Sequence, residues 1–193
     1  MAKFPIAYVG MPVTADFWNK GVINTVWKAS TLPRLNTATL ADDPELAGME
    51  LAVGTHLITT SLNVSINPGL QTVDVKVAYS FTGTAIATRI IQGPDVQIGG
   101  PSQYFNSTSS THVNTNSVRT LMKLGADGGT GCGHTSNIVY GLNDVYPISI
   151  VEQMLIEVTA IGNLALQWAQ GTVNASSSVT MYAGSWMSAR QIA

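Results

Sequence analysis

The densest run of chemically capable side chains is Gly125-Ala-Asp-Gly-Gly-Thr-Gly-Cys-Gly-His134, which places Asp127, Cys132 and His134 within ten residues. Thiolate, imidazole and carboxylate are zinc ligands, and zinc sites are usually built from two ligand pairs at short spacing. Cys132 and His134 make one pair with no second, since the other histidines, His56 and His112, are remote in sequence. The run reads as a glycine-rich loop with a polar tip, and no metal is expected. It also lacks the Gly-Lys-Ser/Thr ending with which a phosphate-binding loop holds its nucleotide. Nucleophilic catalysis has no better footing. Gly184-Ser185-Trp186 lacks the second glycine of a nucleophile elbow, and a catalytic Cys/His pair meets across a fold rather than along the chain. Asp42, Asp43 and Glu45 crowd around Pro44, but acid/base carboxylates need environments that push their pKa values apart. This cluster reads as the cap of a turn. The expectation is a protein with no catalytic residues and no cofactor; a polysaccharide depolymerase is the weakest match.

Composition narrows the partners. Charged residues are 10% of the 193, against about 25% in an ordinary soluble domain. Wetting falls instead to 21 Thr, 16 Ser, 12 Asn and 8 Gln. Nine Lys and Arg against eleven Asp and Glu leave a net charge of −2, too little positive charge to neutralise phosphates, so no nucleic-acid partner is expected. A hydrophobic content of 45% with small net charge argues against disorder. Apolar runs such as residues 148–151 fall far short of the roughly 18–20 residues that span a bilayer, so no membrane partner is expected. The single Cys132 excludes an intrachain disulfide. The opening MAKFPIAYVG has no apolar stretch long enough for a signal peptide; synthesis in a reducing cytoplasm fits both. Weak charge repulsion favours self-association.

The elements that must carry these residues are strands. In residues 56–66, Ile58, Leu62, Val64 and Ile66 alternate with Thr59, Ser61, Asn63 and Ser65; in residues 72–81, Val73, Val75, Val77, Tyr79 and Phe81 alternate with polar or small residues. Period-2 alternation puts one face in a core and the other in water. With Asn67-Pro68-Gly69 as a turn between them, the two are expected to pair as a hairpin. Further strands are expected at residues 85–91, 118–124, 148–160, 164–169, 179–181 and 186–192, with Glu152 interrupting its strand at a bulge or subunit contact. Thr72, Ala78, Ala165 and Ala169 make a flat wall suited to packing on another subunit. Trp168 falls on an apolar face and reads as core. Eight or so strands with no long helix imply an all-β antiparallel β-sandwich or jelly roll.

Residues 1–40 lack this regularity. We read them as an extended N-terminal arm, with a helical turn opening at Thr14, ahead of a β-sandwich domain over residues 41–193. An ordinary strand and loop of the same domain is the competing reading. Large aromatics outside a patterned strand often anchor interfaces, so Phe4, Phe17, Trp18 and Trp27 are candidate interface residues. Two long polar stretches, residues 93–116 and 125–137, read as exposed loops, where a rigid scaffold places binding contacts. Tyr104 and Phe105 are candidate contacts within the first.

Residues 164–192, LALQWAQGTVNASSSVTMYAGSWMSARQI, resemble the C-terminal strands of small structural proteins of tailed bacteriophages, in which an L-x-L-Q-W-A-Q strand, a Thr/Ser/Asn turn and an A-G-S…R ending follow one another. Residues 42–58, with DDPEL and AVGTHLI, and residues 79–84, YSFTGT, resemble the same proteins at their first long strands. The resemblance covers roughly residues 40–193. It implies a jelly roll of the tumour-necrosis-factor-like or head-decoration type, commonly a homotrimer fixed to a virion, and no catalytic residues. The expected function is a trimeric capsid decoration (cement) protein bound to the major capsid protein on the head. The alternative is a tail fibre tip or baseplate receptor-binding protein, attached to tail or baseplate proteins, whose loops contact host-surface glycans.

Overall fold

A computed structural model describes residues 23–66, 73–92, 118–125, 138–142 and 147–193. The described residues are all-β, with thirteen strands: β1 (Ile23–Trp27), β2 (Leu32–Leu35), β3 (Ala41–Asp42), β4 (Met49–Leu51), β5 (Gly54–Ile66), β6 (Val75–Phe81), β7 (Thr84–Gln92), β8 (Val118–Gly125), β9 (Ile138–Tyr140), β10 (Ile148–Ala160), β11 (Gly162–Gln170), β12 (Ser178–Met181) and β13 (Trp186–Gln191). They form two antiparallel sheets. One has the order β1-β13-β5-β10-β7-β8, with β12 bridging β5 and β2; the other has the order β3-β11-β6-β9, with β4 also on β11.

Alternation explains the layers. Ile58, Leu62 and Val64 of β5 and Ile150, Met154 and Ile156 of β10 face Val75, Val77, Leu164, Leu166 and Trp168 from the second sheet in one buried cluster. Trp168 is fully buried, as its place on the apolar face implied.

The alternation did not fix partners. β5 and β6 do not form the expected hairpin: β5 pairs with β10, β12 and β13, whereas β6 pairs with β11 and β9 in the other sheet. A period-2 pattern states which face is buried, and two strands facing each other across a core satisfy it as well as two neighbours in one sheet. Glu152 does not interrupt β10 either. Its strand keeps unbroken register with β5 from Ile148 to Val158, and the register shift against β7 lies between Val158 and Ala160.

Of the residues assigned to an arm, 23–40 are described, and they are built into the sandwich. β1 pairs with β13 and β2 with β12, so over this part the ordinary-strand reading holds. The small-residue wall is also used within the chain. Ala78, Ala165 and Ala169 are buried, and the side chains around them reach the 38–42 segment, whose residues 41–42 pair with the edge of β11: Lys76 Nζ donates to the Ala38 carbonyl at 2.6 Å, and Ser80 and Gln167 donate to Asp42 Oδ1 at 3.0 and 2.9 Å. Thr72 lies outside the described residues.

Candidate functional site

The exposed surface with the clearest capacity for contact is the outer face of the larger sheet. Antiparallel register aligns Ile23, Arg190, Leu57, Leu155 and Thr88 in one row across β1, β13, β5, β10 and β7. It aligns Trp27, Trp186, Ser61 and Val151 in another. Cross-strand neighbours on one face sit close enough to act as one surface. Ile23, Trp27, Ile86 and Leu155 on this face are exposed, Trp27 by 66%. Thr25, Ser188, Thr59, Thr55 and Gln153 fill the spaces between them, and Arg190 and Glu157 are the charged side chains of these five strands on this face among the described residues. Register sets Lys123 and Arg119 of β8 opposite Ile86 and Ile90, so charge gathers toward that edge. Scattered apolar residues are normal on a surface, but the part of the face that combines Trp27, Trp186 and Leu155 with hydroxyls suits a protein contact.

Trp27, one of the four aromatics singled out in the sequence, is exposed on the edge strand β1, beside Trp186. Phe4, Phe17 and Trp18 lie outside the described residues, as do Tyr104 and Phe105, the helical turn at Thr14, and Asp127, Cys132 and His134. Among the described residues no group of three or more His, Cys, Asp or Glu is placed to hold a metal ion. His56 is buried and its Nε2 is hydrogen-bonded to the Ala52 carbonyl at 2.8 Å.

Two buried polar centres hold this face in place. In the first, Arg89 of β7 grips Glu152 of β10 with both nitrogens of its fork, Nε to Oε2 at 2.8 Å and Nη2 to Oε1 at 2.5 Å. Tyr79 of β6 donates to Oε2 at 2.7 Å, and Tyr140 of β9 donates to Oε1. Tyr79 Oη is also hydrogen-bonded to Thr60 Oγ1 at 2.8 Å. The tyrosines come from one sheet and the ion pair from the other, so the centre stitches the layers together. Burial lifts both phenols well above their ordinary range, and the Glu152 charge adds to the lift, so they stay neutral donors. Burial alone would lower Arg89; the Glu152 carboxylate outweighs it and holds the guanidinium charged.

The second centre joins Lys28, just after β1, to the 42–46 turn. Lys28 and Asp43 side chains have no solvent exposure, and Nζ lies 3.1 and 2.9 Å from the two Asp43 oxygens. Asp43 Oδ1 also accepts the backbone N–H groups of Glu45 and Leu46, and Oδ2 accepts the indole N–H of Trp168 at 3.0 Å. Glu45 reaches Nζ at 3.2 Å and accepts from Ala29 and Ser30. Burial would raise its carboxyl, but the hydrogen bonds from Ser30, Lys28 and the backbone outweigh it and hold it below the ordinary range. The acidic cluster is thus a turn cap, as its composition suggested. Its cationic partner, fifteen residues upstream, had no signal in the sequence, and neither did the partners of Glu152.

No protein-family model, curated protein or solved structure matches this chain.

Proposed function

We propose that this chain is a structural virion protein of a tailed bacteriophage, a capsid decoration (cement) protein that sits as a homotrimer on the head and acts by covering and being covered, without catalysis. The observation that carries the reading is the outer face of the larger sheet, where exposed Trp27 and Leu155 stand among hydroxyls, while Ile23 lies beside Arg190 and Ile86 beside Glu157.

The sandwich is a jelly roll in this proposal. Its support is the crossing of long strands between sheets: β5, β10 and β13 lie in one sheet, and β6 and β11, which separate them in sequence, lie in the other. Such crossing connections are how a double-sheet jelly roll is wound. The resemblance of residues 164–192 falls on β11, β12 and β13, which form the end of that winding.

The test uses purified heads that lack the protein. Adding the recombinant chain is expected to coat them and raise the temperature at which they release their contents. Heads whose heat resistance is unchanged after coating overturn the cementing role. Labelled chain that binds host cells and leaves heads bare replaces it with the tail fibre tip reading.

A further inference from the structure

The geometry points to a covalent bond within the second buried centre: an isopeptide bond formed spontaneously between the Lys28 amine and the Asp43 carboxyl, with Glu45 as proton carrier. Four observations converge on it. The reacting groups are in contact, Nζ lying 2.9 Å from Oδ2 and 3.1 Å from Oδ1. Both side chains are wholly removed from solvent, so water neither competes for the carboxyl carbon nor drives the amide back to its parts. Oδ1 is held by two backbone N–H groups, those of Glu45 at 3.0 Å and Leu46 at 3.2 Å, which is the arrangement that stabilises charge developing on a carbonyl oxygen. A second carboxylate, Glu45, touches the nucleophile at 3.2 Å from the more exposed side.

The step balances with no added reagent. One Nζ proton passes to Oδ2 along their hydrogen bond, leaving a neutral amine and a neutral acid. The amine lone pair attacks Cγ of Asp43, and negative charge gathers on Oδ1 between the two N–H donors. Glu45 takes a second proton from the nitrogen and returns it to Oδ2. The Cγ–Oδ2 bond breaks, that oxygen leaves as water, and an amide remains. Fixed contact replaces the entropy of encounter, and the reaction converts two buried charges into one neutral amide, removing a burden that an apolar interior resists. The bond would fasten the end of β1, in the larger sheet, to the turn after β3, in the smaller one. A chain with one cysteine would gain by it a staple that reducing conditions leave intact.

The experiment is intact mass measurement of the unfolded full-length recombinant chain, followed by trypsin digestion. The expected mass is lower than that of the sequence by one water, with residues 21–34 joined to residues 35–76 in one branched peptide, because trypsin does not cut after an acylated Lys28. Lys28→Arg keeps the charge pair and is expected at full mass, as is Asp43→Ala; because mass is read on the unfolded chain, a folding defect does not obscure the result. Glu45→Gln is expected to slow the appearance of the branched peptide at least tenfold. Wild-type chain that stays at full mass after long incubation at neutral pH overturns the proposal. So does a lighter chain that still yields free residues 21–28, and an unchanged rate in Glu45→Gln overturns the role of Glu45.

Discussion

Arg89 and Glu152 form a two-point ion pair between neighbouring strands β7 and β10, both residues sealed from solvent and the carboxylate saturated by two tyrosines from the opposite sheet. Such a centre is more easily broken than replaced. Removing one member leaves the other buried and uncompensated, which typically costs about 3–5 kcal/mol, whereas replacing both with apolar residues of similar volume is often neutral. We expect Arg89→Met and Glu152→Gln each to lower the urea unfolding midpoint sharply, and Arg89→Met combined with Glu152→Leu to recover only part of the loss, because Tyr79 and Tyr140 then lose the carboxylate that accepts from them. A double variant as unstable as the sum of the two would show that the residues do not act as a pair.

Asp74, just before β6, gives stability a pH dependence of its own. Burial pushes its carboxyl up from 3.8 to about 6. A carboxyl raised in the folded state favours folding when protonated, so its contribution is full below about pH 4 and is lost as pH rises through about 6. Asp74→Asn is therefore expected to be more stable than the wild type near pH 7.5, by about 1 kcal/mol after allowing for solvent screening of a partly exposed group. The advantage should vanish near pH 4. Denaturant titrations of both chains at the two pH values check it, and a difference that does not change with pH would exclude Asp74 as the source.

Two turns of the sandwich meet backbone to backbone at glycines. A Cβ on Gly83 would stand 2.1 Å from the Ala160 carbonyl oxygen, and one on Gly162 would stand 2.1 Å from the Gly83 nitrogen. Neither obstacle is a side chain that can swing aside. Gly83→Ala is expected to cost about 2–3 kcal/mol by forcing the 82–83 turn off Asn163. Gly48 provides the contrast: it has φ +75 and open space around its Cβ, so Gly48→Ala carries only the backbone conformational cost, about 1 kcal/mol. Thermal unfolding of the two variants should separate them, and equal losses would mean that the close approach relaxes freely.

The outer sheet face should matter for assembly and not for folding. Trp27→Ser and Leu155→Ser remove exposed apolar groups, and surface changes of this kind usually move stability by no more than about 0.5 kcal/mol. On the proposed function, the same variants should coat protein-deficient heads at least tenfold more weakly. Measured by co-sedimentation, undiminished coating would move the contact elsewhere on the molecule.

Strand identity was legible where the alternation is regular, from β5 onward, and not in the short strands β1–β4 and β9. Residues 148–160 and 179–181 were read as strands and appear as β10, Ile148–Ala160, and β12, Ser178–Met181, because alternation of Ile, Val and Met with polar residues is a local property of the chain. The burial of Trp168 and the capping role of Asp43 were legible for the same reason: each depends on neighbours within a few positions. Lys28 and Arg89 were not, since nothing near either residue announces a carboxylate waiting across the fold.

The sequence by itself therefore determined that the described residues are all-β, which faces of β5, β6, β10 and β11 are buried, and that charge would be scarce. Only the tertiary structure decided that β5 and β6 face each other across the core instead of pairing, that residues 23–40 are woven into the sheets, and that Glu152 is an interior ion. The physical reason is that side-chain periodicity encodes a direction, inward or outward, and no partner. Partners are chosen when the sheets close, by the geometry that lets every buried N–H, carbonyl and charge find its complement at once.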